Sequence, residues 1–145
     1  MSSIDISATT SQHPFASWVA HHAAIRVRDY EISKRWFTEQ LGWRVTQEWM
    51  YADLQLAYIA PPGDDRFHVE ILGGPGAAPQ EVYDSVDASL TQNGLNHACI
   101  RVASVDDSIA ELRRRGVRIV GEPFEVDAIN SRLAFFADQI GRAHV

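Results

Sequence analysis

The chain has 145 residues, of which 46% are hydrophobic and 10% aromatic, and its 13 basic and 19 acidic residues give a net charge of −6. These values predict one globular domain and exclude a mainly disordered chain. The acidic balance argues against a general nucleic-acid binder, and the lack of an 18-residue apolar stretch argues against a membrane span.

The N-terminal region and the cysteine content favour the cytoplasm. Residues 1–17 are polar and lack the basic and apolar segments of a secretory signal, so we expect a loose N-terminal arm there. The single cysteine, Cys99, cannot form an internal disulfide, which is typical of a reducing compartment.

The first half of the chain predicts a strand, a helix and three further strands. Residues 18–28 alternate, with Ala23, Ile25 and Val27 on one side, as in a half-buried strand. Asp29 is a predicted N-cap, and Gly42 ends a predicted helix over residues 30–41. The further predicted strands are residues 43–50, 54–60 and 66–72.

The second half predicts the same order of elements after a change in composition. Residues 73–94 are rich in glycine and proline, and we interpret them as a linker with a short helical piece around residues 82–90. The elements predicted after the linker are a strand at 95–103, a helix at 105–115, and strands at 117–120, 124–129 and 133–137.

An internal repeat relates the two halves. His22-Ala-Ala-Ile-Arg-Val27 aligns with His97-Ala-Cys-Ile-Arg-Val102 at an offset of 75 residues, and only Ala24 and Cys99 differ. Each half is too small to bury its own sheet, so the two halves must pack together or across a dimer.

Two βαβββ modules that each open with His-x-x-Ile-Arg-Val resemble the vicinal oxygen chelate superfamily, which includes glyoxalase I, extradiol dioxygenases and bleomycin-binding proteins. The resemblance covers residues 18–138. It implies an α+β fold in which module one (18–72) and module two (95–138) form a cupped mixed sheet.

The resemblance implies a divalent metal inside the cup, with His22, Glu70 and His97 among its ligands. Strand alternation agrees, because it places all three side chains opposite the apolar residues that face the helices. Two imidazoles and a carboxylate suit Zn²⁺, Ni²⁺, Mn²⁺ or Fe²⁺ without choosing among them. Such an ion can polarise a substrate that chelates it through two adjacent oxygens, and Glu70 is the candidate catalytic base.

Four further residues are candidates for substrate binding. Arg26 and Arg101 follow the two histidines, and each could clamp a carboxylate or phosphate or pair with an acidic neighbour. His68 shares the predicted cup face, as a support or an alternative ligand. Cys99 is predicted to line the pocket. His21 is expected to point toward the helix side or the strand edge and to be structural.

The final residues depart from the family pattern. The superfamily continues its last strand with Asp-Pro-x-Gly-x-x-x-Glu, whereas Val145 stands at the position of that Glu. Residues 140–145, Ile-Gly-Arg-Ala-His-Val, are the translation of a common sequencing-library adaptor. We expect 139–145 to be a non-native tail and the last strand to be truncated; the alternative is a true variant ending.

Three functions follow from these residues. The preferred one is a metal-dependent lyase or isomerase that resembles glyoxalase I. The alternatives are an extradiol-type Fe²⁺ dioxygenase, in which Glu70 would be dispensable, and a metal-free protein that binds a small molecule or drug. The partners expected are a small-molecule substrate and a second copy of the chain in a homodimer, with no nucleic acid or membrane.

Overall fold

The computed structural model describes residues 12–79 and 81–138, together with the backbone of residues 143–144. It confirms an α+β fold of two βαβββ modules, each with a four-stranded mixed sheet. Module one contains β1 (His22–Val27), α1 (Tyr30–Arg35), a π-helical turn (Trp36–Gln40), β2 (Arg44–Tyr51), β3 (Leu54–Ala60) and β4 (His68–Gly73). After α2 (Val86–Ser89), module two contains β5 (His97–Ala98), α3 (Val105–Arg114), β6 (Arg118–Val126), a 3₁₀ turn (Asp127–Ile129), β7 (Ser131–Ala137) and β8 (Ala143–His144).

The first sheet has the order β1-β4-β3-β2 and carries the main hydrophobic core. β1 runs parallel to β4, and their register places His22 opposite His68. The core joins one face of this sheet to the helix through buried side chains such as Ile25, Ile71 and Phe37. His22, Tyr58, His68 and Glu70 lie on the opposite face, away from the helix that packs on the core, and we call it the helix-free face.

The first helix begins and ends for local reasons. The Asp29 side chain accepts a hydrogen bond of 2.9 Å from the Ile32 amide, which caps the N-terminus. The helix is regular only to Arg35, where the predicted α-helix changes to the π-helical turn. Beside it, the Tyr30 hydroxyl donates to Glu48 at 2.6 Å and contributes to fixing the helix on β2.

Tyr30 also packs unusually close to the end of β4. A Cβ atom at Gly73 would lie 2.4 Å from the Tyr30 Cβ and 2.6 Å from its Cα. Only glycine allows this approach of strand and helix, because both of the atoms it would meet are fixed by the backbone.

The second sheet has the order β5-β8-β7-β6, and its inner strand β8 is short. Ala143 and His144 pair with β5 on one side and with β7 on the other. The described part of β8 has two residues, whereas β4, the corresponding strand of module one, has six. Instead of the strand predicted at 95–103, β5 is His97–Ala98, the two residues that pair with the described part of β8.

The remaining strands of module two also differ from the prediction. The strands predicted at 117–120 and 124–129 are one strand, β6, with register shifts on both sides of Gly121. Glycine and proline inside β6 produce irregular pairing here, whereas the sequence pattern indicated a turn. Across the described ranges, no helix is long and apolar enough to cross a membrane.

The modules contact each other through their helix-bearing sides. The Trp36 and Phe136 rings stack with centroids 6.4 Å apart, and the Arg115 guanidinium donates to the Gln40 carbonyl at 3.2 Å. Ile100 packs against the core of module one. A largely apolar cavity of about 290 Å³ lies at this junction, with Trp43, Cys99, Ile109 and Phe136 in its lining.

Candidate metal centre

An imidazole and a carboxylate meet on the helix-free face of the first sheet. The His22 Nε2 atom lies 3.3 Å from the Glu70 Oε2 atom. Glu70 is only 8% exposed, whereas about a third of the His22 side chain reaches solvent. A buried carboxylate needs a compensating partner, and the imidazole supplies one when it carries a proton on Nε2.

Two further histidines and a tyrosine surround this pair. The His21 Nδ1 atom lies 2.8 Å from the His22 Nδ1 atom, and the His21 ring stacks on His68 at 5.4 Å. The Tyr58 ring contacts His22 at 5.1 Å and His68 at 5.6 Å. The Nδ1 atom of His68 is buried and has no hydrogen-bond partner among the described residues. The face therefore presents several nitrogen and oxygen donors within one small area.

His21 is the residue that the sequence pattern misassigned. Its side chain was predicted to point toward the helix side or the strand edge and to be structural, but His21 precedes β1, so the alternation of the strand does not extend to it. The observed contact with His22 places it beside the candidate ligand. The only sequence feature that pointed to it is the pair of adjacent histidines.

His97 belongs to the second sheet. Its ring lies edge-on to Phe135 at 5.7 Å, and its Nδ1 atom lies 2.8 Å from the Asn96 Oδ1 atom. Among the residues that the structure describes, no three His, Cys, Asp or Glu side chains form a group that could hold a metal ion. Val145, at the position that the repeat pairs with Glu70, lies outside the described residues, as does most of the predicted tail.

Arg26 makes an extensive set of contacts with the backbone. Its guanidinium donates to the carbonyls of Val27 and Leu72, the latter at 3.0 Å. It also donates to the carbonyls of Gly74 and Pro75 at 3.0 and 2.5 Å. These four bonds use most of its N–H donors and secure the turn after β4, so a substrate clamp would have to compete with them.

The other predicted substrate-binding residues lie elsewhere. Arg101 is exposed, unlike its half-buried counterpart Arg26. Cys99 is also exposed and lies in the lining of the apolar cavity at the module junction. Of the aromatic residues in module one, Trp49 packs on Tyr58 at 4.7 Å, whereas Tyr51 is exposed.

The donor atoms of His22 and Glu70 fit a divalent ion. Zinc binds histidine nitrogen and carboxylate oxygen at about 2.1 Å, so two adjacent ligands of one ion stand a little over 3 Å apart. The 3.3 Å separation matches that spacing. Neighbouring Nε2 and carboxylate oxygen donors also suit Ni²⁺, Mn²⁺ and Fe²⁺.

Comparison with protein-family models matches residues 19–141 to the Glyoxalase/Bleomycin resistance protein/Dioxygenase superfamily. Among curated proteins, the uncharacterized protein YwkD of Bacillus subtilis (strain 168) is 31% identical over 120 residues, which span 81% of this chain and 87% of that protein.

Solved structures share the fold. SMU.1112c superimposes with a TM-score of 0.72 and 27% identity, over 88% of this chain and 96% of that chain. A glyoxalase family protein from Enterococcus faecalis gives a TM-score of 0.68 at 21% identity, over 86% of this chain and 92% of that one. Glyoxalase I from Zea mays gives 0.65 at 19% identity, over 87% of this chain and 43% of that one.

Proposed function

Because the chain belongs to the glyoxalase/bleomycin resistance protein/dioxygenase superfamily, we propose that it is a metal-dependent lyase or isomerase. Its substrate would be a small molecule with two adjacent oxygen atoms. His22, Glu70 and His97 would hold a divalent ion: Zn²⁺, Ni²⁺, Mn²⁺ or Fe²⁺. The observation that carries the proposal is the contact of 3.3 Å between His22 and the buried Glu70.

Glu70 has a second role in this proposal. When bound, the ion supplies Lewis-acid polarisation of a substrate carbonyl, which acidifies the neighbouring C–H bond. A Glu70 carboxylate oxygen accepts that proton and returns it to the adjacent carbon, so the net reaction moves a proton and consumes no oxidant.

The side chains around the pair would orient the substrate. His68 and Tyr58 contribute a polar edge and an aromatic surface next to His22. The Nδ1 atom of His68 is buried and has no hydrogen-bond partner among the described residues, so a rotation of the ring on binding would let it bond a substrate oxygen. An imidazole nitrogen that gains a partner on substrate binding recovers the cost of its burial, and this favours a ligand with oxygen atoms at that place.

We further propose that the chain works as a homodimer in the cytoplasm, with each centre completed by two chains. The contacts between modules that support this involve the helix-bearing sides, through Trp36, Phe136 and Arg115. Because the two modules pack through those sides, the helix-free face of the first sheet would be left for a second copy of the chain to cover. A second copy would supply His97 there.

A second candidate function is metal-free binding of an apolar small molecule. The cavity of about 290 Å³ at the module junction favours it, since apolar pockets of this order accept small apolar ligands. Its lining includes Trp43, Cys99 and Phe136, and it lies on the helix-bearing side, away from Glu70.

The test combines metal loading with isotope exchange. Purified chain is dialysed against each of the four ions, analysed for metal, and incubated in deuterated water with small hydroxy- and oxo-carbonyl compounds. The proposal expects ion-dependent exchange of a substrate proton without oxygen uptake, and loss of exchange in Glu70→Gln. Oxygen uptake with catechols and Fe²⁺ would contradict this proposal and indicate a dioxygenase instead. Ligand binding unchanged in His22→Ala and His97→Ala would favour the binding protein.

A further inference from the structure

A chain of hydrogen bonds connects His97 to the short helix α2. The Ser89 hydroxyl lies 2.6 Å from the Val86 carbonyl oxygen, within the helix. The Asn96 Nδ2 atom lies 2.9 Å from the same hydroxyl, and the Asn96 Oδ1 atom lies 2.8 Å from the His97 Nδ1 atom. Ser89 and Asn96 are half-buried, so solvent competes only partly with the bonds between Val86, Ser89 and Asn96, whereas the contact of Asn96 with His97 is exposed.

The direction of each hydrogen bond follows from the chemistry of its partners. The Val86 carbonyl can only accept, so the Ser89 hydroxyl donates to it and keeps its lone pairs for the Asn96 amide. The Asn96 Nδ2 atom can only donate, so the Oδ1 atom of the same amide faces His97 as an acceptor. The His97 Nδ1 atom must therefore carry a hydrogen. In the neutral ring, this leaves the lone pair on Nε2.

We propose that Ser89 and Asn96 are positioning residues that hold His97 in its Nδ1–H tautomer and so present Nε2 as a ligand nitrogen for a divalent ion. The inference rests on the proposed function for the role of His97, but the tautomer itself is a property of the metal-free chain. Free histidine in water favours the Nε2–H form, so this hydrogen-bond chain reverses the ordinary preference.

The repeat shows why this arrangement matters at His97. The position before His22 holds His21, whose Nδ1 atom also lies 2.8 Å from the ring of its neighbour. His21 can donate or accept, so its contact leaves either tautomer of His22 possible. Asn96 accepts through one atom and donates through the other, and Ser89 determines which atom faces His97.

The tautomer can be measured without metal. Chain labelled with ¹⁵N-histidine is studied by long-range ¹H–¹⁵N correlation at pH 8, above the ordinary histidine pKa of about 6.5. Wild type is expected to show His97 as Nδ1–H, and Asn96→Ala and Ser89→Ala are expected to shift it toward Nε2–H. Ser89→Thr keeps a hydroxyl and restores the wild-type pattern. Thr91→Val is the matched control, since the Thr91 hydroxyl bonds the same helix at the Ala88 carbonyl and is outside the chain of bonds.

The metal affinity gives an independent measurement. Competition with a chromophoric chelator is expected to show Zn²⁺ binding weakened by about 10- to 100-fold in Asn96→Ala and unchanged in Thr91→Val. The positioning role is overturned if wild-type His97 is Nε2–H, or if Asn96→Ala leaves both the tautomer and the affinity as in wild type. Absence of Zn²⁺ binding by a wild-type chain that does show Nδ1–H would instead overturn the proposed function.

Discussion

The Nε2 atom of His22 and the Oε2 atom of Glu70 lie 3.3 Å apart across the neighbouring strands β1 and β4. The register puts Glu70 next to Ala24, so the carboxylate reaches back along β1 to the ring at the start of the strand. The carboxylate is buried and the imidazole is partly exposed, so incoming molecules can reach the pair from the imidazole side.

Glu70→Gln is expected to weaken binding of divalent ions strongly. Glutamine keeps the size of the side chain but removes the charge that a hard or borderline cation requires. We expect the dissociation constant for Zn²⁺ to rise by at least about 10-fold, measured by chelator competition. The control is Glu81→Gln, which removes an exposed carboxylate between the modules and should bind Zn²⁺ as tightly as wild type. Equal affinity in both variants would remove Glu70 from the metal site.

Gly73→Ala is expected to destabilise the first module. The new Cβ would stand 2.4 Å from the Tyr30 Cβ and could not be accommodated without moving strand or helix. We expect a loss of about 3 kcal/mol in the free energy of unfolding, or roughly 6–12 °C in Tm. Gly63→Ala is the control, because a Cβ there has no atom within 4 Å. Equal melting temperatures for the two variants would contradict the close packing.

The sequence predicts the features that follow from its own patterns, and it misses those that depend on strand pairing between distant residues. The two modules follow from the internal repeat, and the shared face of His22 and Glu70 follows from strand alternation. Both patterns are visible in the sequence itself. The short β5 and the single strand β6 do not follow from such patterns, because strand length depends on hydrogen bonds to distant residues such as Ala143 and Phe135. The contacts of His97 with α2 likewise depend on how the residues between the modules fold back.

Arg26→Met is expected to reduce stability, even in the absence of any ligand. The guanidinium bonds four carbonyls around the end of β4, and methionine replaces none of these bonds. We expect a loss of about 2 kcal/mol, measured by urea unfolding. Arg101→Met, at the repeat-related position, is exposed and should change stability by less than about 0.5 kcal/mol. An intact Arg26→Met chain with reduced substrate affinity would favour the substrate-clamp role instead.

The Glu48 carboxylate is expected to make a contribution to stability that depends on pH. Hydrogen bonds from Lys34 and then Tyr30 lower the pKa of Glu48 below its ordinary value of 4.5. A lowered folded-state pKa means that the contribution is full above the unfolded pKa and is lost as pH falls through the folded pKa. Because Glu48 is half exposed, we expect at most about 1 kcal/mol. The difference in unfolding free energy between wild type and Glu48→Gln, measured by urea unfolding, should therefore be largest at pH 7 and shrink as pH falls below 4.5; a constant difference would contradict this.

Mixing the His22→Ala and His97→Ala variants, each of which is expected to lose tight metal binding, should restore part of that binding if the centre is shared between chains. In a dimer that joins His22 of one chain to His97 of the other, His22→Ala and His97→Ala each destroy both centres. A mixed dimer has one centre with both substitutions and one with neither. Random exchange of subunits makes about half of the dimers mixed, so roughly a quarter of the wild-type tight Zn²⁺ sites should return. Unmixed variants and a mixture kept from exchanging subunits serve as controls. Failure to recover tight sites, in dimers shown to have exchanged, would mean that His22 and His97 of the same chain meet or that they share no ion.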